Sequence, residues 1–223
     1  MNRNIKWVLA RLGEQSKRER SGDMKVLPQD EMLAITPDTG MFFKIILTAM
    51  RAQRILEIGT SVGYSTLWFA DAMIQNGMAK AAEGVEKPIT TVDINHSKIE
   101  KATKNFDEAE VRGLIDVLEG NARDVLHELL KNFEAQNHIK KTDGLFDFVF
   151  FDADKEDLRE YFDLVLPMLR VGGIIATDNM LYPETYRPLM SEYSNYVRSR
   201  PSVESVLVPI GNGEEITIKL ASN

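Results

Sequence analysis

The sequence predicts an α/β fold, in which a mostly parallel, seven-stranded sheet is covered by helices on both faces. From Arg54 onward, short apolar segments alternate with longer segments whose apolar residues recur at helical spacing. The short segments are apolar at consecutive positions, as in parallel strands that are buried on both faces. Gly211-Asn212-Gly213 separates the last two short segments and predicts a C-terminal antiparallel hairpin.

The N-terminal part of the chain precedes this alternation and is predicted to be helical. Its apolar residues recur at helical spacing, at Ile5, Val8, Leu9 and Leu12. We expect this helix to pack on the body of the protein or on a second subunit. The charged segment 16–25 is predicted as a loop. Thr36, Pro37 and Asp38 then predict the start of a second helix, because they suit the N-cap and the first turn.

The remaining elements alternate in order. The expected strands are 54–59, 89–94, 114–120, 145–151, 172–178, 202–210 and 214–220. The expected helices are 63–73, 96–109, 122–133, 155–169 and 186–199. We divide the chain into an N-terminal helix and loop, residues 1–31, and one α/β domain, residues 32–223. The polar stretch 76–88 receives no functional assignment.

The composition excludes several classes of protein. The chain has 223 residues and no cysteine, which excludes disulfides, zinc thiolates and a cysteine nucleophile. Its net charge of −7 disfavours sequence-independent binding of nucleic acid, which needs a basic face. No apolar run approaches the roughly 18 residues of a membrane span, and the N-terminus has no signal-peptide core. We therefore expect a cytoplasmic protein.

Polar residues follow five of the expected strands. In an open α/β sheet, ligands bind at the carboxyl ends of the strands. The residues at these ends are Glu57, Gly59 and Ser65, then Asp93, then Asn121 and Ala122, then Asp152, Asp154 and Lys155, and finally Asp178 and Asn179. Each has a structural alternative, because an acidic residue after a strand is often a helix N-cap and Asp-Asn is an ordinary turn pair. Their convergence on one edge indicates a ligand site.

The ends of the fourth and fifth strands predict a cation site. Pairing of these two strands would place Asp152 beside Asp178, and two adjacent carboxylates repel unless a proton or a cation lies between them. Oxygen ligands suit a hard divalent cation. The first strand is followed by Glu-x-Gly-x-x-x-Gly rather than by the Gly-x-Gly-x-x-Gly of dinucleotide-binding enzymes. A ligand with an amino-acid end and a nucleoside end fits better, with Asp93 placed to accept both hydroxyls of a ribose.

Five segments of the chain resemble one enzyme family: "LEIGTSVGYSTLWFA", "TVDIN", "EGNA", "FDFVFFDADK" and "GGIIATDNML". They resemble the class I S-adenosylmethionine methyltransferases and, more narrowly, the cation-dependent O-methyltransferases related to caffeoyl-CoA and catechol O-methyltransferases. The resemblance extends from about Met32 to Leu220. It implies the Rossmann-like methyltransferase fold, S-adenosylmethionine as cofactor, Mg²⁺ or another divalent cation, a small phenolic acceptor and a homodimer.

The resemblance also implies roles for individual residues. Asp152, Asp178 and Asn179 would ligate the cation, and Lys155 would be the general base. The residues that would contact the cofactor are Glu57, Gly59, Ser65, Asp93, Asn121, Ala122 and Asp152. Asp154 receives no catalytic role. The segment 180–188 is shorter than is usual in the family, so we expect a more open acceptor site.

The predicted function is methyl transfer to a hydroxyl of a catechol-like molecule, with the cation orienting and ionising the acceptor. One alternative is O-methylation of a hydroxyuridine at the wobble position of tRNA. It requires a basic surface near the site, for which the candidate residues are Lys6, Arg11, Lys17 and Arg18. A second alternative is a protein that binds the cofactor without turnover. The presence of Asp152, Lys155, Asp178 and Asn179 argues against it.

Overall fold

The computed structural model describes residues 1–27, 30–78, 87–140 and 145–220. The strands are β1 (Ile55–Ile58), β2 (Ile89–Asp93), β3 (Ile115–Glu119), β4 (Phe146–Phe151), β5 (Leu169–Thr177), β6 (Val203–Val208) and β7 (Glu214–Lys219). They form one seven-stranded sheet in the order β3-β2-β1-β4-β5-β7-β6. Strand β7 runs antiparallel to both of its neighbours, β5 and β6, whereas β1 with β4, β4 with β5 and β2 with β3 pair in parallel. The predicted fold class is confirmed.

The helices divide between two compact units of the chain. The first unit is Met1–Ala52 and Thr60–Glu119. Its described residues include β2, β3 and the α-helices α1 (Arg3–Ser21), α2 (Pro37–Ala49), α3 (Tyr64–Gln75) and α4 (His96–Glu108). The second unit is Gln53–Gly59 and Gly120–Asn223, and its described residues include the other five strands and three α-helices. These are α5 (Ala122–Lys140), α6 (Leu158–Val165) and α7 (Arg187–Arg198).

The N-terminal helix is longer than the sequence predicts. The expected loop 16–25 is wrong for residues 16–21, which continue α1 as far as Ser21. Charged residues do not oppose a helix as such, and the first stop signal is Gly22, which adopts the left-handed conformation of a C-cap. Glu19 is buried in this last turn, where its carboxylate accepts a hydrogen bond from Met32 N at 2.9 Å.

The apolar stripe of α1 is buried within its own chain. Ile5, Val8, Leu9 and Leu12 are each at most 5% exposed, and α1 packs against α3 and α4. The helix therefore packs on the body of the protein, the first of the two arrangements that the sequence allowed. The start of α2 also follows the prediction, since the Thr36 side chain accepts from Thr39 N. Of the unassigned stretch 76–88, residues 79–86 lie outside the described residues.

The second unit contains the phenylalanine-rich strand β4. Phe148, Phe150 and Phe151 are completely buried, each contributing about 1.5–3 kcal/mol of hydrophobic stabilisation. Strand β4 pairs in parallel with β1 and with β5, and the last pairs on its two sides are Ile58 with Phe151 and Phe151 with Thr177. These three strands therefore end side by side.

One property of the helices bears on membranes. No helix in the described ranges combines the length and the apolar character that crossing a bilayer requires.

Candidate active site

The strand pairing brings Asp152 and Asp178 together, as the sequence predicts. Each is the first residue after the last pair of its strand. Main-chain hydrogen bonds hold both positions: Asp152 N donates to Ile58 O at 2.9 Å, and Asp178 N donates to Phe151 O at 3.0 Å. The charge of Asp152 helps to raise the pKa of Asp178, so the two carboxyls interact directly.

Lys155 is the positively charged group of this cluster. Its Nζ lies 3.4 Å from Asp152 Oδ1, and its side chain is only 9% exposed. The expected helix start at 155 is wrong, because α6 begins at Leu158 and Lys155 lies in the preceding turn. A solvated lysine in the first turn of a helix is therefore not what the structure shows. Lys155 is instead a nearly buried ammonium beside the carboxylate of Asp152.

The turn before β7 fixes the segment that carries Asp178 and Asn179. Met180 N donates to Gly213 O at 3.0 Å, and Leu181 N donates to Asn212 O at 2.8 Å. The turn packs so closely that a Cβ atom on Gly213, at φ +90°, would lie 2.6 Å from Leu181 Cγ. Asn179 adopts a φ of +66°, a left-handed conformation that Asn tolerates better than most residues. The segment that carries Asp178 and Asn179 is therefore held by the hairpin turn as well as by β5.

The sequence analysis missed one member of the cluster, Glu214. This side chain is 0% exposed, and among the described residues neither of its carboxyl oxygens has a hydrogen-bond donor. Its carboxyl contacts that of Asp178, which is itself an acceptor, so the contact is favourable only with a shared proton or a cation. The sequence signal is an acidic pair, Glu214-Glu215, at the start of a strand that then alternates apolar and polar residues.

The electrostatics of the cluster follow from burial. Burial, followed by the charge of Asp152, raises the pKa of Asp178 to about 7. Burial, followed by the charge of Asp178, raises the pKa of Glu214 to about 12. Both shifts mean that negative charge is poorly stabilised here, although Lys155 lowers both values. A further positive charge would therefore be stabilising.

The donors of the cluster suit a hard divalent cation, because they are carboxylate and amide oxygens and two carboxyls lie in contact. The orphaned, buried carboxyl of Glu214 supports this fit. Within the described parts of the chain, no three His, Cys, Asp or Glu side chains are arranged to hold a metal ion. The carboxyls would therefore have to turn towards a common point to ligate an ion.

In the first unit, Asp93 stabilises the loop that follows β1 by accepting a main-chain hydrogen bond from it. Its Oδ2 accepts from Ser61 N at 2.7 Å, and its Oδ1 accepts from Asn95 N at 2.8 Å. The alternative of Asp93 as a helix N-cap is wrong, because Asn95 caps α4. Each oxygen of Asp93 can accept a further hydrogen bond. Ser65 lies in the first turn of α3 and is 7% exposed.

The other cofactor candidates belong to the second unit. Glu57 lies on β1 and is completely buried. Gly59 has a φ of +107°, and a Cβ atom there would lie 2.2 Å from the carbonyl oxygen of Asp152, so this position excludes a side chain. Asn121 precedes α5, where its Oδ1 accepts from Arg123 N at 2.9 Å, and Ala122 is the first residue of that helix.

The fold and these strand ends define an α/β enzyme, and comparison with known proteins gives its family. Residues 17–220 match the family described as O-methyltransferase, so the chain belongs to the O-methyltransferase family. The caffeoyl-CoA O-methyltransferase of Mesembryanthemum crystallinum is 30% identical over 197 residues, which cover 82% of this chain and 71% of the relative. The catechol O-methyltransferase of Niastella koreensis is 32% identical over 149 residues, which cover 67% of this chain and 59% of the relative. The resemblance seen in the sequence is confirmed.

Solved structures show the same fold. The O-methyltransferase TomG of Streptomyces achromogenes, solved in complex with SAM, matches with a TM-score of 0.72 and 24% identity, covering 96% of this chain and 90% of that one. The O-methyltransferase of Bacillus cereus, solved in complex with SAH, matches with a TM-score of 0.69 and 21% identity, covering 98% and 91%.

Proposed function

We propose that the protein transfers the methyl group of S-adenosylmethionine to one hydroxyl of a small molecule with two adjacent hydroxyls, with the help of a divalent cation. The adjacent positions of Asp152 and Asp178 at the ends of β4 and β5, with Lys155 Nζ 3.4 Å from Asp152, carry this proposal. Relatives named caffeoyl-CoA and catechol O-methyltransferase, and a fold neighbour solved with SAM, support the acceptor class and the cofactor.

Asp152, Asp178 and Asn179 would hold the cation. When bound, a divalent cation lowers the pKa of hydroxyls that contact it and orients one of them. The three residues are well suited to this, because main-chain hydrogen bonds from β1, β4 and the hairpin turn fix their backbone. Tyr182 and Tyr186, which are 63% and 42% exposed in the short segment after Asn179, could stack on an aromatic acceptor.

Lys155 would take the proton of the reacting hydroxyl on its Nζ. Asp152, whose Oδ1 lies 3.4 Å from Nζ, would stabilise the ammonium that forms. As the new C–O bond forms, the C–S bond of the sulfonium breaks, which leaves a neutral thioether and one proton on Nζ. Charge and atoms therefore balance without a further reactant.

Seven residues would contact S-adenosylmethionine, by their match to the family pattern: Glu57, Gly59, Ser65, Asp93, Asn121, Ala122 and Asp152. Asp93 would accept the ribose hydroxyls through lone pairs that remain on its two oxygens. Its carboxylate is already oriented by Ser61 N and Asn95 N.

We also propose that the protein forms a homodimer and that its acceptor is a small molecule. The apolar stripe of α1 no longer supports a place for this helix in a dimer interface, because it is buried within the chain.

Among the basic residues considered for RNA binding, Lys6, Lys17 and Arg18 are exposed. Arg11 is paired with Glu108 at 2.8 Å, so part of its charge is neutralised.

The proposed reaction is tested with isotopically labelled S-adenosylmethionine and Mg²⁺, offering a panel of catechols and bulk tRNA separately. We expect label in catechols, and none when EDTA is present. Because different residues would hold the cofactor and the cation, EDTA should leave S-adenosylmethionine binding largely intact by calorimetry. Label in tRNA alone would overturn the proposed acceptor, and full turnover in EDTA would overturn the cation.

A second prediction tests Asp93. Asp93→Ala should weaken S-adenosylmethionine binding by about 1.5–3 kcal/mol, because it removes a charged hydrogen-bond acceptor. Glu119→Ala is the matched control, since Glu119 is the partner of Asp93 in the pairing of β2 with β3. Calorimetry should show an unchanged affinity for this control. Equal affinities for the Asp93 variant and the wild type would remove Asp93 from the cofactor site.

A further inference from the structure

We propose that Glu214 is a third carboxylate ligand of the divalent cation, beside Asp152, Asp178 and Asn179. The inference rests on the proposed function, because it concerns the same cation. It assigns the start of β7, as well as the ends of β4 and β5, to the metal site.

The first argument is the contrast between Glu214 and its neighbour Glu215. Both are 0% exposed. Glu215 is held by three donating side chains, with Ser194 Oγ at 2.8 Å, Ser205 Oγ at 2.6 Å and Arg198 Nε at 3.0 Å. Among the described residues Glu214 has no such donor, and its polar contact is with the carboxyl of Asp178, which is itself an acceptor. A buried carboxyl without partners is strongly destabilising unless a charge or a metal compensates it.

The second argument is charge. With all groups ionised, Asp152, Asp178 and Glu214 carry three negative charges, and Lys155 carries one positive charge. One divalent cation neutralises the remaining charge. Once Lys155 has taken the proton of the acceptor, the same group with a dication but without Glu214 would be left with a net positive charge in a buried place. Glu214 thus makes the cluster complementary to a dication.

The third argument is position. Adjacent residues of a strand point to opposite faces of the sheet, so Glu214 and Glu215 lie on different faces. Glu214 follows Gly213 directly, and Gly213 O accepts from Met180 N. Its carboxyl contacts that of Asp178 and interacts with that of Asp152. The hairpin therefore brings Glu214 to the segment that carries the other ligands, and we expect the cation to draw these carboxyls together.

The test is a Mn²⁺ titration of the purified protein without S-adenosylmethionine or acceptor, followed by electron paramagnetic resonance, together with thermal unfolding in EDTA. The variants are Glu214→Gln and Glu214→Leu, with Glu215→Gln as the matched control. We expect both Glu214 variants to weaken Mn²⁺ binding by about 10–100-fold or more. They should also melt at a higher temperature than the wild type in EDTA, because they remove a buried, unpartnered carboxyl.

The control should behave in the opposite way. Glu215→Gln should lower the melting temperature, because it weakens the pairing with Arg198, and it should leave Mn²⁺ affinity within about threefold of the wild type. If the Glu214 variants keep the affinity of the wild type, or melt at a lower temperature in EDTA, Glu214 has a structural role and the inference is overturned. If the wild type itself binds no Mn²⁺, the proposed cation is overturned together with the inference.

Discussion

Replacing Lys155 by alanine is expected to lower the turnover number for a catechol acceptor by about 10²–10⁴-fold, the usual contribution of a positioned general base. The side chain is 9% exposed and lies against Asp152, so alanine removes both the proposed base and the counter-charge of Asp152. Raising the pH should restore part of the lost rate, because hydroxide can then ionise the acceptor.

Two further measurements distinguish the role of Lys155 as a general base from its role as a positive charge beside Asp152. Lys155→Arg keeps a positive charge beside Asp152, but arginine does not accept a proton at neutral pH, so its turnover should fall nearly as far as that of Lys155→Ala. Mn²⁺ binding should survive in both variants. A Lys155→Ala variant with full activity near neutral pH would show that ionisation of the acceptor needs no lysine.

Without divalent cations, the protein is expected to lose stability as the pH rises from 5 to 8. Burial raises the pKa of Glu214 from 4.5 to about 12 and that of Asp178 from 3.8 to about 7. The folded state therefore retains protons that the unfolded state has released, and stability falls with rising pH. Each retained proton changes the free energy of unfolding by about 1.4 kcal/mol per pH unit. For Glu214 alone, the free energy of unfolding should fall by about 4 kcal/mol between pH 5 and 8.

Urea unfolding in EDTA at several pH values measures this loss. Glu214→Gln should remove most of the pH dependence, because glutamine has no proton to release. Glu215→Gln should keep it, since Asp178 and Glu214 are unchanged in that variant. A free energy of unfolding that is flat or rises between pH 5 and 8 in the wild type would contradict the prediction.

The fold could be predicted from the sequence because its signals are local. Continuous apolar runs define the strands, and Gly211-Asn212-Gly213 defines the hairpin. The wrong predictions concern charged segments, which either continue a helix or lie in the turn just before one. Residues 16–21 extend α1 because Gly22, rather than polarity, ends the helix. The helix α6 begins at Leu158, so Lys155 belongs to the turn before it.

The sequence predicted only those parts of the candidate site whose proximity follows from the pairing of neighbouring strands. Asp152 and Asp178 follow two adjacent strands, so their proximity comes directly from the order of β4 and β5. Glu214 is far from both in the sequence, and its burial depends on the position of β7 within the sheet. No local pattern distinguishes it from Glu215, whose polar partners come from α7 and β6. Those contacts are non-local, and only the structure shows them.

The place of β7 in the sheet has a consequence for the order of folding. Residues 214–219 come after every other strand in the sequence, but β7 lies between β5 and β6. During synthesis, the edge of β5 and the segment Asp178–Leu181 therefore lack their support until β7 has left the ribosome and inserted beside them. Pairing between distant or late segments is slow. We therefore expect the proposed cation site to be completed last, after β7 has inserted.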